Sequence, residues 1–290
     1  SETKPSVTRC HILLDSLQKI CLMHGIEVDY YKKLFQTAGN IIELIEKDDI
    51  PKYLLFLENV FPYMDNYNYQ KGMKAIIQEL KNFLKRKDIG TDSDRALLLD
   101  FEATLEIKPE KAMKLEKDAL ALITEITEDN AHLVSNLHSN LGGLYRMNGY
   151  PDLAMEHMEK GLFLLEQYNL LYTHDGIPQA TNYAMFLTEQ QAPEKGISVL
   201  QKLSKGIKEY NSDCCLDYAT VQETLATIYL MTANLPQAKT HFKRACKIYE
   251  KIWADEPEMI ENKYLEIQEL YPQVGFFLGQ QLSNFLTKQT

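Results

Sequence analysis

Residues 139–162, SNLGGLYRMNGYPDLAMEHMEKGL, read as two helical runs with apolar residues at three and four spacing. Yet Gly142 and Gly143 lie inside the first run and Pro151 stands at the mouth of the second. In a helix interior glycine costs about 1 kcal/mol and proline about 3 kcal/mol relative to alanine. The pattern therefore needs a physical reason, and a comparison of the stretch with the rest of the chain supplies one.

Take Leu141, Gly142, Tyr145, Ala154, Met158 and Gly161 as one set. Adding 84 lands on Leu225, Ala226, Tyr229, Ala238, Phe242 and Ala245, with the same alternation of large and small; adding 42 lands on Tyr183, Ala184, Leu187, Gly196, Leu200 and Leu203. One step upstream fall Leu99, Ala103, Ala112 and Ala119. The small residues sit where the first helix (A) of each pair must approach the second (B): Gly142, Ala184 and Ala226 on A, with Ala154, Gly196 and Ala238 facing them from B. Pro151, Pro193 and, one residue shifted, Pro236 recur in the first turn of helix B, where a missing N–H breaks no intrahelical bond. The alternative is a generic antiparallel bundle in which small residues happen to align.

This pattern of large, small, aromatic and small residues resembles the tetratricopeptide repeat (TPR). Its period of 42 exceeds the usual 34 and is similar to the longer-helix repeats of kinesin light chain and of bacterial regulatory proteins. The resemblance implies an all-α fold, a right-handed α-solenoid of antiparallel helix pairs. Four repeats span 92–254. Before them, residues 1–91 read as two degenerate hairpins, one turning at Gly25 and running to Lys47, the other turning near Asn66–Asn68. After them, 255–290 read as helices opened by Pro257 and Pro272 that cap the apolar end of the stack, with a homodimer contact through these terminal helices as their alternative use.

Composition narrows the function classes. A 290-residue chain with 45% hydrophobic and 25% charged residues buries a sizeable core. No apolar run approaches the roughly 20 residues of a membrane crossing, so no membrane partner is expected. Five cysteines without CxxC spacing suit a reducing, cytoplasmic setting and no metal site. A net charge of −10 without clustered lysine and arginine disfavours nucleic acid. The chain opens at Ser1 without methionine, which suggests a fragment of a longer protein.

Catalytic signatures are absent from the sequence: no phosphate loop, no HExxH, no GxSxG elbow, and seven scattered histidines. His157 and His241 lie next to core positions and read as packing residues, and His174 falls in a loop between repeats. No enzyme and no cofactor are expected. A superhelix of this kind instead presents its A helices along a concave wall. Counting from the anchors, that wall includes Asn136, Ser139, Asn140, Gly143, Arg146 and Met147 in one repeat. The next contributes Thr181, Asn182, Met185 and Glu189, and the third Thr220, Glu223, Thr224, Thr227 and Leu230, with Leu98, Phe101 and Leu105 upstream.

Asn140 and Asn182 share one slot. An amide there both donates to and accepts from an extended backbone, the role that the resemblance to peptide-holding TPR proteins implies. Arg146 suits a two-pronged carboxylate contact. The alternative is that the asparagines bond a neighbouring helix and Arg146 is a solvated end residue. Ser139 and Gly143 depart from the lysine and asparagine of the clamp that chaperone binders use. Two readings of function follow. The first is a scaffold that takes a protein or extended peptide in its groove, and the second a ligand-sensing regulatory domain of a larger bacterial regulator.

Overall fold

The turn between helices A and B shows how regular the chain is. The computed structural model describes residues 37–60, 67–173, 175–210 and 212–289. Within it Gly149, Gln191 and Ala233, spaced 42 apart, take positive φ of 78°, 62° and 57°. The following N–H reaches back to the carbonyl five residues earlier each time: Tyr150 to Tyr145 at 3.0 Å, Ala192 to Leu187 at 2.9 Å and Asn234 to Tyr229 at 2.7 Å. This is the left-handed cap that satisfies the last orphan carbonyls of a helix. Only the first of the three uses glycine. Local strain of the left-handed region is accepted at Gln191 and Ala233 because helix packing on both sides fixes the turn.

Among the described residues twelve α-helices of eleven residues or more follow one another. They are α1 Ile50–Val60, α2 Tyr67–Lys87, α3 Asp92–Thr104, α4 Pro109–Leu122, α5 Ala131–Met147, α6 Pro151–Gln167, α7 Gly176–Glu189, α8 Pro193–Tyr210, α9 Leu216–Met231, α10 Leu235–Ile252, α11 Pro257–Leu270 and α12 Pro272–Gln289. Prolines open α4, α6, α8, α11 and α12, and Pro236 is the second residue of α10. Thr91 caps α3 with its hydroxyl on the Asp94 N–H, while the Asp94 carboxylate accepts from the Thr91 N–H. The fold class is the expected one: all-α, in antiparallel helix pairs.

The described residues form two compact units, one ending at His157 of α6 and the other starting at Met158. In the first, Tyr53, Phe56, Met73, Ile77 and Phe83 of α1 and α2 are buried, and Leu98 and Phe101 of α3, with Leu105 just after it, join their core. A smaller core of Ala96, Ala119, Leu133 and Leu137 ties α3, α4 and α5. In the second, one continuous core runs from Leu165 of α6 to Leu282 of α12.

The small-residue register is visible directly in the second unit. A Cβ placed on Gly196 of α8 would stand 2.5 Å from the carbonyl oxygen of Ala184 on α7 and 3.0 Å from Thr188 Oγ1. Ala184, Ala226 and Ala238 are wholly buried, as is Ala154 in the first unit, and Gly142 is buried too. The residues at 142, 184 and 226 are thus all buried.

Two expectations need correction or limits. The hairpin of residues 7–47 falls largely outside the described residues. Its described end is not one helix to Lys47: the helix stops at Ile41 and gives way to 3₁₀ turns at Ile42–Leu44 and Lys47–Asp49, the second held by a reciprocal Glu46–Asp49 cap. The turn of the second hairpin lies partly outside the described residues too, and α2 already begins at Tyr67.

Two glycine substitutions test the packing argument. Gly196→Ala should lower the unfolding free energy by about 1 to 3 kcal/mol, because backbone cannot yield to the new methyl group. Gly143→Ala, where nothing lies within 4 Å of the new carbon, should instead raise stability by about 0.5 to 1 kcal/mol through helix propensity. Urea unfolding of both variants measures the difference, and equal effects would contradict the register.

Candidate functional site

The wall residues expected from the sequence fall in both units. In the second, Met185 of α7 and Thr220, Glu223, Thr224 and Thr227 of α9 line one cleft of about 250 Å³, closed by Tyr249 of α10, Lys263 of α11 and Tyr271. Its polar floor is tied together. The Tyr249 hydroxyl donates to Glu223 Oε2 at 2.8 Å, and Lys263 Nζ pairs with the same oxygen at 3.3 Å and with Glu266 at 3.1 Å. Burial lowers the Lys263 pKa, but the two carboxylates outweigh it and hold the ammonium above its ordinary value. Burial and the Glu223 carboxylate push the Tyr249 phenol strongly up, so it stays a neutral donor.

Two chemical surfaces remain for a ligand in that cleft. Thr220 and Thr224 donate to their own helix, on the carbonyls of Leu216 (3.1 Å) and Thr220 (2.9 Å), which leaves hydroxyl lone pairs as acceptors. The Thr227 hydroxyl donates to Glu223 O at 3.0 Å and shares a 2.9 Å hydrogen bond with the Tyr271 hydroxyl. Met185 supplies a soft apolar side. Asn182 and Glu189 are exposed on α7, the latter at its last residue. Tyr183, next to Asn182, belongs to a different depression and donates to Glu159 Oε1 at 3.1 Å. Thr181 is buried with its hydroxyl on Pro178 O.

In the first unit Asn136 and Arg146 are half-buried on α5, and Met147 at its end is 74% exposed. Asn140 already has a partner: its amide donates to Asp100 Oδ1 of α3 at 2.8 Å. Asp100 also bonds Glu116 of α4, and both acids are buried. Burial first, then the neighbouring Asp100 charge, pushes Glu116 up to about 10. Burial raises Asp100 as well, but the donors Glu116 and Asn140 and the charge of His132 oppose that rise. Glu116 therefore holds a proton at neutral pH and donates it to the Asp100 carboxylate. Its second oxygen, Oε2, has no hydrogen-bond partner. Leu98, Phe101 and Leu105, expected on the wall, are instead core: α1 and α2 cover the face of α3 that the slot-counting leaves open.

No protein-family model matches the chain, and no curated protein does either. Solved structures do. BtubC (BKLC) from P. vanneervenii superposes with a TM-score of 0.51 at 14% identity, over 89% of this chain and 92% of that one. A variant of a putative kinesin light chain from Podosopora anserina, with nearly identical TPR-like repeats, gives 0.51 at 12% identity, over 76% and 94%. A Rap protein complexed with competence and sporulation factor gives 0.52 at 17% identity, over 97% and 80%. The fold is that of TPR-like repeat proteins.

Within these repeats one side-chain arrangement escaped the sequence reading. His157 of α6 lies against the ring of Tyr145, centroids 5.3 Å apart, and His241 of α10 stacks on Tyr229, also at 5.3 Å. The two histidines are 84 residues apart, as are the two tyrosines. Their ring nitrogens are bound alike from helix A: His157 Nδ1 meets His138 Nδ1 and His241 Nδ1 meets Gln222 Oε1, each at 2.9 Å. The signal was the shared 84-residue step, which a search for metal or catalytic spacings passes over. Among the described residues no group of three or more His, Cys, Asp or Glu side chains is arranged to hold a metal ion.

The Glu116 proton has a measurable sign. A carboxyl whose folded pKa lies far above its unfolded value stabilises the protein fully below about pH 4, and that contribution is lost as pH rises toward 10. Glu116→Gln keeps the neutral donor, so its unfolding free energy should change less with pH than the wild type between pH 5 and 9. Parallel pH profiles for the two proteins would contradict a protonated Glu116.

Proposed function

We propose that this protein is a non-catalytic TPR-type binding module that takes a protein segment or an extended peptide on its A helices. The observation that carries the reading is the cleft of the second unit, in which Met185, Glu223 and Thr227, picked from repeat slots alone, line one space. Its chemistry suits an extended chain. Threonine hydroxyls accept from backbone N–H groups, Met185 packs on an apolar side chain, and the exposed Asn182 on the same helix as Met185 offers both a donor and an acceptor. Glu223 serves this cleft by positioning Tyr249 and Lys263, so its contribution to a ligand is indirect. Asn136, Asn140, Arg146 and Met147 form the corresponding set on α5, with Asn140 held at its place by Asp100.

A second reading rests on one comparison. The Rap protein was solved with competence and sporulation factor bound, and its fold likeness extends over 97% of this chain. On that reading the ligand changes how neighbouring helices pack and passes the change to an effector domain. Both readings share the same contacts and differ in whether binding alters the helices.

A random peptide library displayed on phage and selected on the intact protein tests the shared part. Peptides recovered on the wild type should bind at least about tenfold more weakly to Asn182→Ala and to Met185→Ala, with circular dichroism unchanged. Equal affinity for both variants would remove the cleft from the account.

A further inference from the structure

The paired joints at His157 and His241 differ in one property. An imidazole Nδ1 either donates or accepts, so the 2.9 Å contact between His138 and His157 carries one proton between two nitrogens. The pair exists as two neutral rings or as one neutral ring and one cation. A second proton would set two N–H groups face to face and break the contact. In the twin, Gln222 replaces His138, and an amide does not titrate. Gln222 is fixed from its other end, its Nε2 donating to Ser204 Oγ at 3.1 Å. His241 itself is held neutral, lowered to about 4 by burial and by the charge of Arg244.

Charged and titratable groups flank the joint. Lys117 of α4 places its ammonium 5.3 Å from the centre of the Tyr145 ring, the same ring that lies on His157. Tyr150 meets Tyr145 edge-on from the loop before α6. His132 stands earlier on α5 and interacts with Asp100. The Asp100–Glu116 pair of α3 and α4 meets α5 at Asn140, roughly 200° round the helix from His138.

We propose that the His138–His157 contact is a pH-sensitive joint between helices A and B of its repeat, closed at neutral pH and opened by a second proton, while the Gln222–His241 joint stays closed. The helix that it frees is α5, which carries Asn136, Asn140, Arg146 and Met147. The sign follows from proton counting. Opened rings each take a proton near the ordinary imidazole value of about 6.5, and the closed pair refuses one of them. The joint is therefore fully stabilising above that value and loses its contribution as pH falls through it.

Amide hydrogen exchange on the intact chain, corrected for the intrinsic effect of pH, reads the joint directly. Between pH 7.5 and 5.5 the protection of α5 and the first turns of α6 should fall about tenfold, the factor for one refused proton, while α9 and α10 stay within about twofold. His138→Gln copies the Gln222 joint and should abolish the fall. Should that variant fail to fold, nitrogen-15 imidazole spectra of the wild type give the same answer, with one shared proton at pH 7.5. An equal fall in His138→Gln, or two rings that both become cationic at pH 5.5 with exchange unchanged, would overturn the proposal.

Discussion

The structure depends on backbone meeting backbone where α8 crosses α7. At Gly196 there is no room for a single methyl group, because the carbonyl oxygen of Ala184 occupies the space. The close approach lets large residues at fixed offsets, Leu187, Leu200 and Leu203, interlock beside the contact and become buried. Small buried residues recur at the same offset, with Ala226 on α9 and Ala238 on α10, and left-handed turns recur between the helices at Gly149, Gln191 and Ala233. A larger side chain in one small slot would displace a pair of helices as a whole, since interiors at this density deform little.

Polar side chains link successive helices within each unit. Asn140, Asp100 and Glu116 join three successive helices of the first unit, and Gln222, His241 and Ser204 join three of the second. Buried hydrogen-bonded groups of this kind hold orientation more than they add stability, because an unpaired partner is heavily penalised. In the first unit the arrangement bears on α5, in the second on α9, and these are the helices whose outward faces carry the candidate ligand contacts. The proposed ligand contacts and the internal polar bonds therefore share helices in each unit.

The architecture was legible because the 42-residue register is written in small residues, prolines and aromatics together. Gly142, Ala184 and Ala226 mark helix A, and the helices opened at Pro151, Pro193, Pro257 and Pro272 begin at the residues that the prolines indicate. The proposed wall draws on more of the chain than its slots. Met185, Glu223 and Thr227, chosen from repeat slots, line one cleft, but Lys263 and Tyr271, which also line it, come from the segment read as capping helices or a homodimer contact. Slot-counting treats every repeat as alike, so it could not see that α1 and α2 cover Leu98, Phe101 and Leu105, nor that Asn140 finds a carboxylate 40 residues upstream. The histidine joints were hidden for the opposite reason: their regularity spans two periods, and each half looks like an isolated packing residue.

The central claim is that one 42-residue step is the unit from which the stack is built, and excision tests it most directly. Deleting residues 175–216 removes α7, α8 and one whole period, and it joins the chain at equivalent positions. Stacked repeats tolerate a change in number, so this variant should unfold in one cooperative urea transition with helix content per residue close to the full chain. Deleting only residues 175–204, which breaks the period, should abolish that cooperativity. If both deletions behaved alike, folded or unfolded, the 42-residue unit would not be the basis of the structure.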